Sequence, residues 1–190
     1  MMDRKQEIIE TARSVVSLYG IKKVTIDDVA RKAHISKATI YRFFHNKGDI
    51  LDELVTTEAE GLLEAVRMAA DAEASSRAKL KAHLLVRMKR ISELLEFYRV
   101  SEETWGDFWP YLIKLKEWFV DAETEIIKGI LKCGIDRGEV HIGRLDVCAH
   151  ITCATLHTIE LPWALQAHGI DARQYADTIV EMLYDGIRER

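Results

Sequence analysis

The segment that most constrains the fold is residues 25–47, TIDDVARKAHISKATIYRFFHNK, where two short apolar periods flank a polar break at His34-Ile35-Ser36. Thr25 is placed to cap a first helix, in which Ile26, Val29, Ala30 and Ala33 are the candidate buried positions. Ser36 is placed to cap a second, running roughly from Lys37 to Phe44 with Ile40 and Phe44 turned inward, four apart. Two helices joined by so short a turn must cross steeply, and the second then projects its outer side chains away from the support. Those outer side chains, Lys37, Thr39, Tyr41 and Arg42, offer donors and an aromatic ring at a size that fits a major groove about 12 Å wide. The backbone amides left free behind Ser36 can hold a phosphate.

The rest of the chain reads as helices as well. Ile8, Ala12, Val15, Val16 and Tyr19 recur at steps of three and four, and Gly20 follows in the place of a helix stop. After Lys47, one helix carries Leu51, Leu54, Val55 and Leu62, and the small polar stretch 72–76 weakens it. Arg77 to Phe97 fits another, with Leu80, Leu84, Met88, Ile91 and Leu95 on one side. Pro110 suits the first turn of the next, which continues through Phe119, Ile126 and Ile130 toward Cys133. A helix from about Leu145 is expected to kink or end near Pro162, and a last one starts at about Ala172, with Tyr175, Ile179, Met182 and Leu183 inward. Ten glycines and two prolines in 190 residues leave few of the turns that sheets need. The expected architecture is all-α, a three-helix head with a helix-turn-helix (1–47) and a larger body of five or six helices (48–190).

Charge divides along the same line. Residues 1–50 hold ten Lys/Arg against six Asp/Glu, a balance of +4, whereas 51–190 hold 17 against 25, a balance of −8. A basic front on an acidic body points to one end that meets a polyanion, although solvated charge can also fluctuate to this degree. The three cysteines, Cys133, Cys148 and Cys153, lack C-x-x-C spacing, so a reducing compartment is expected rather than a disulfide framework. The polar start and the lack of an apolar run of about 18 residues point to a soluble, cytoplasmic protein outside the membrane.

The matches at Thr25, Val29, Ala30, Ala33, Ile35, Ser36, Thr39, Ile40, Tyr41, Phe44 and Lys47 fall at fixed spacing, and here the sequence resembles the TetR family. The resemblance is specific over about residues 8–55. It departs at His34, where the family usually has a glycine in a turn expected near the left-handed region. Ala38 is a common variant of the family's glycine. The resemblance implies a homodimeric transcriptional repressor of double-stranded DNA, with a pseudo-palindromic operator and a small-molecule effector. It also implies DNA contact at Lys37, Ala38, Thr39, Tyr41, Arg42 and Phe43, and phosphate contact at Thr25, Ser36, Tyr41 and Lys47. Arg42 is the foremost base reader, because a guanidinium can bond a guanine edge through two hydrogen bonds. The plainer alternatives are a Tyr41 ring that only packs and lysines that are only solvated.

Two features of the body stand out. Trp105, Trp109, Trp118 and Trp163, with Phe108, Tyr111 and Phe119, can wall a cavity for an apolar or aromatic ligand, or can be plain core. His150, Cys153, His157 and Glu160 fall within an arc of roughly 80° on one helix. They can form the polar wall of a ligand pocket, core or interface residues, or metal ligands. With no ligand identifiable from another helix, neither metal nor cofactor is expected, and Trp105, Trp109, Trp118, His157, Glu160 and Trp163 are the candidate effector lining. The apolar faces of this helix and the last assign Ile151, Leu156, Ile159, Ile179 and Leu183 to a dimer interface. No nucleophile elbow, phosphate loop or H-E-x-x-H occurs, so an enzyme is not expected. The alternative reading is a scaffold protein of this fold without DNA recognition.

Overall fold

The computed structural model describes the backbone of residues 3–166 and 171–187, and the side chains of 3–158 and 171–186. These residues form eight helices, α1 (Arg4–Tyr19), α2 (Ile26–Lys32), α3 (Lys37–Tyr41), α4 (Lys47–Asp71), α5 (Ser76–Phe97), α6 (Trp105–Asp136), α7 (Leu145–Gln166) and α8 (Ala172–Ile187). The described residues contain no strand. The expected all-α architecture, a helix-turn-helix head and a helical body, is what the chain adopts.

Local chemistry sets the boundaries. α1 stops at Gly20, whose φ of +82° takes the chain out of the helix while its amide still donates to the Val16 carbonyl at 2.8 Å. α2 begins at a capping box in which the Thr25 hydroxyl accepts from the Asp28 amide at 3.2 Å and Asp28 accepts from the Thr25 amide at 3.1 Å. Asn46 and Asp49 exchange the same pair of bonds ahead of α4 (3.3 and 3.1 Å). α6 differs from the sequence expectation, because it begins at Trp105 and holds Pro110 inside it. Ser101 and Thr104 side chains accept from each other's amides, and the Trp105 amide already donates to Ser101, so helical bonding starts well before the proline. α7 runs past Pro162 to Gln166 rather than ending there.

By packing, the chain divides into two compact units, 1–60 with 94–115, and 61–93 with 116–190. The first contains residues 1–47 together with the start of α4 and residues 94–115. Ile50, Leu51 and Leu54 of α4 are buried with Ile8, Ala12 and Val16 of α1, and Tyr98 joins them from beyond α5. Three helices alone would leave much of that apolar surface wet. The second unit is built on Leu80 and Leu84 of α5, Ile127 and Leu131 of α6, Ala149, Cys153 and Leu156 of α7, and Val180 of α8.

Candidate nucleic-acid interface and buried polar centre

α3 is held by what it buries and offers what it does not. Ile40 and Phe44 are buried in the first unit, and the opposite face leaves Lys37, Ala38, Tyr41, Arg42 and Phe43 exposed. Tyr41 at 50% and Phe43 at 38% are large rings left in water on one short helix and the turn after it. Isolated exposed rings need no explanation, but two beside a lysine and an arginine form a surface suited to a nucleic-acid groove.

The residues at the helix starts are already engaged. Ser36 Oγ accepts from the Thr39 amide at 3.1 Å and lies 2.9 Å from the Thr39 hydroxyl. Thr25 hydrogen-bonds Asp28, and that bond, helped by the Thr25 amide and opposed by desolvation, holds the Asp28 carboxyl below its ordinary value. Lys37 pairs with Asp27, and Lys47 Nζ donates to the Lys22 carbonyl at 2.8 Å, tying the loop after α1 to the start of α4. The turn between α2 and α3 passes through His34 with φ of +53°, the left-handed conformation expected there, and the Ile35 amide closes back on Ala30 at 3.1 Å.

The second unit holds a buried polar centre. Glu123 of α6 is fully buried, with His83 Nε2 3.0 Å from Oε1 and His157 Nε2 2.6 Å from Oε2. Arg87 also donates to Oε1, and Cys153 Sγ lies 3.7 Å from Oε2. Burial opposes the charge on Glu123 most strongly, yet the Arg87 charge and the two histidine bonds together hold its carboxyl well below the usual carboxylate range. Burial, and then the neighbouring carboxylate, push the Cys153 thiol up to about 11. The Phe119 ring covers one side, 5.5 Å from the His157 ring and 5.4 Å from the Arg87 guanidinium.

Of the residues singled out on α7, the structure brings Cys153 and His157 to this centre and leaves His150 exposed. Sequence reasoning missed Glu123, His83 and Arg87. A signal existed, since each stands on an otherwise apolar stripe, Glu123 four before Ile127, His83 three after Leu80 and Arg87 three after Leu84.

The expected effector lining is distributed. Trp105 and Trp109, with ring centroids 6.4 Å apart, belong to the first unit, and Trp118 and His157 to the second. Trp109 and Trp118 are 46% and 43% exposed. Glu160 and Trp163 lie outside the residues whose side chains are described, as does Ile159. Of the expected interface, Ile151 is 58% exposed and Ile179 and Leu183 are half-buried. Leu156, at 3% exposure, packs in the core of its own chain. Val147 and Met182, both exposed, extend the apolar surface of α7 and α8 instead.

A capped support helix, a left-handed turn and a short helix with a polar, aromatic outer face define a helix-turn-helix, the motif that places its second helix in a DNA groove. Residues 8–54 match the pattern for bacterial regulatory proteins of the tetR family. Over these residues the chain is similar to the helix-turn-helix segment of TetR-family transcriptional regulators. It is 41% identical over 70 residues to an uncharacterised helix-turn-helix transcriptional regulator, YhgD, of Bacillus subtilis, a match covering 37% of this chain and only 35% of that relative's length. It is 26% identical over 189 residues to the fatty acid metabolism regulator protein of the same organism, covering 97% of this chain and 95% of that one. In fold it is similar to the transcriptional regulator FadR from Bacillus subtilis in complex with stearoyl-CoA, with a TM-score of 0.67, 20% identity, and coverage of 96% and 99% of the two chains. No helix of the described residues is long and apolar enough to cross a membrane.

Proposed function

We propose that this protein is a cytoplasmic repressor that binds a pseudo-palindromic operator as a homodimer and leaves it when an effector occupies the body. In this reading 1–47 carry DNA recognition and 48–190 carry effector binding and dimerisation. The exposed outer face of α3 carries the proposal. Arg42 reads a base, Lys37, Ala38, Thr39, Tyr41 and Phe43 line the groove, and Thr25, Ser36 and Tyr41 meet phosphates. Lys47 reaches a phosphate only by releasing or sharing its bond to the Lys22 carbonyl. Exposed Val147, Ile151 and Met182 support a dimer built on α7 and α8, with Ile179 and Leu183 at its margin.

The effector is a largely apolar molecule with one polar group, lined in the second unit by Trp118 and His157 and met by His157. The similarity to a fatty acid metabolism regulator, and to a fold seen with stearoyl-CoA, makes a long-chain acyl thioester the class to test first. An effector acts only through its preference for the conformation that cannot hold DNA, so acyl-CoA must lower operator affinity by the factor with which operator lowers acyl-CoA affinity. The test is selection of genomic fragments by the protein at moderate salt, followed by sequencing. A pseudo-palindrome with half-sites about 34–36 Å apart, or a multiple of that, is expected. Recovery no better than for random fragments, or a monomer at micromolar concentration, contradicts the reading.

A further inference from the structure

We propose that the buried polar centre of the second unit binds one divalent transition-metal ion of the zinc class through Glu123 Oε2, Cys153 Sγ and His157 Nε2. These three donor atoms lie within 4.8 Å of one another. Bonds of about 2.0 Å to oxygen and nitrogen and 2.3 Å to sulfur, at tetrahedral angles, set donors roughly 3.3 to 3.5 Å apart. The oxygen and sulfur, at 3.7 Å, already stand close to that spacing. The oxygen and nitrogen, at 2.6 Å, must open, and His157, 24% exposed, is the member with room to move.

The backbone suits the assignment. Cys153 and His157 are one turn apart on α7, the i, i+4 spacing by which a helix presents two ligands to one ion, and α6 supplies the third. A carboxylate, a thiolate and an imidazole form a borderline-soft set of the kind zinc prefers. The outer shell is also in place. Arg87 and His83 hold Oε1 of the same carboxylate, which fixes its plane and leaves Oε2 toward the sulfur and the imidazole. On binding, Cys153 releases its thiol proton to solvent, and His157 frees Nε2 by carrying its remaining hydrogen on Nδ1. The thiolate then adds a second negative charge at the ion beside that of the carboxylate, which Arg87 shares.

The experiment uses tag-free, chelator-treated protein titrated with Co²⁺ alone, without DNA or effector, so its outcome is independent of the repressor reading. One equivalent should give a near-ultraviolet thiolate-to-cobalt band and intense visible bands of a four-coordinate ion, both erased by one equivalent of Zn²⁺. Cys153→Ser should lose the ultraviolet band and bind at least tenfold more weakly, whereas Cys133→Ser and Cys148→Ser keep it. Should Cys153→Ser not fold, His157→Gln carries the test through weakened cobalt binding and loss of the rise in melting temperature that Zn²⁺ gives the wild type. No stoichiometric thiolate band in the wild type, or the band surviving in Cys153→Ser, overturns the proposal.

Discussion

Replacing His34 with glycine should make the helix-turn-helix more stable, although the substitution removes a whole side chain. His34 sits at φ of +53° between α2 and α3, and its side chain is exposed, so little packing is lost. An L-residue held in the left-handed region costs roughly 1–2 kcal/mol relative to glycine. Glycine gives back about 0.4–1 kcal/mol through the greater freedom of its unfolded chain. The difference leaves a gain of about 0.5–1 kcal/mol, which corresponds to roughly two- to fivefold slower opening of the surrounding amides. Hydrogen exchange of the α2 and α3 amides in wild type, His34→Gly and His34→Ala measures this directly. The alanine variant keeps the backbone cost and should open at least as fast as wild type. Equal slowing in both variants, or faster exchange in His34→Gly, would refute the argument that backbone conformation dominates here.

Thr25→Ala should cost about 1 kcal/mol through loss of the cap. Asp28, whose folded carboxyl is held low by Thr25, stabilises the head above the ordinary carboxylate value of 3.8, and that contribution is lost as pH falls through its lower folded value. Acid titration of head stability should therefore flatten in Thr25→Ala, and an unchanged profile would discount the capping box. Ile151→Asp should give a folded monomer by sedimentation, whereas Leu156→Asp should lose helicity by circular dichroism; a folded Leu156→Asp monomer would reverse the assignment. Glu123→Gln should destabilise by about 3–5 kcal/mol in chemical denaturation, because it removes the buried carboxylate charge that Arg87 and two histidines engage. The losses from Glu123→Gln and Arg87→Met should be less than additive in the double variant, and strict additivity would contradict the pairing.

How much of this was legible in the sequence depends on the range of the interaction. The caps at Thr25 and Ser36 and the stop at Gly20 rest on a few neighbouring residues, so local spacing sufficed, whereas the left-handed turn at His34 was expected from the family resemblance. The start of α6 was misplaced because Pro110 is a strong local signal, while the reciprocal bonds of Ser101 and Thr104 are a weak one. Leu156 shows a further limit, since a helix apolar on several faces does not reveal which face its own chain covers and which remains outside. The polar centre needed three-dimensional information outright. His83, Glu123 and His157 come from three helices, and nothing in their linear spacing announces that they meet on one carboxylate.

The central claim is that the outer face of α3 reads DNA sequence, and it is tested most directly by the ratio of operator to non-specific affinity for wild type and Arg42→Ala at one fixed salt concentration. Arg42→Ala should lose about 1–3 kcal/mol on the selected operator and relax specificity at one base pair, while its affinity for unrelated duplex falls much less. Lys47→Ala supplies the contrast if its ammonium reaches a phosphate, by weakening all sequences alike and reducing the salt slope by about one. An Arg42→Ala protein that keeps the wild-type ratio would contradict recognition through this helix face.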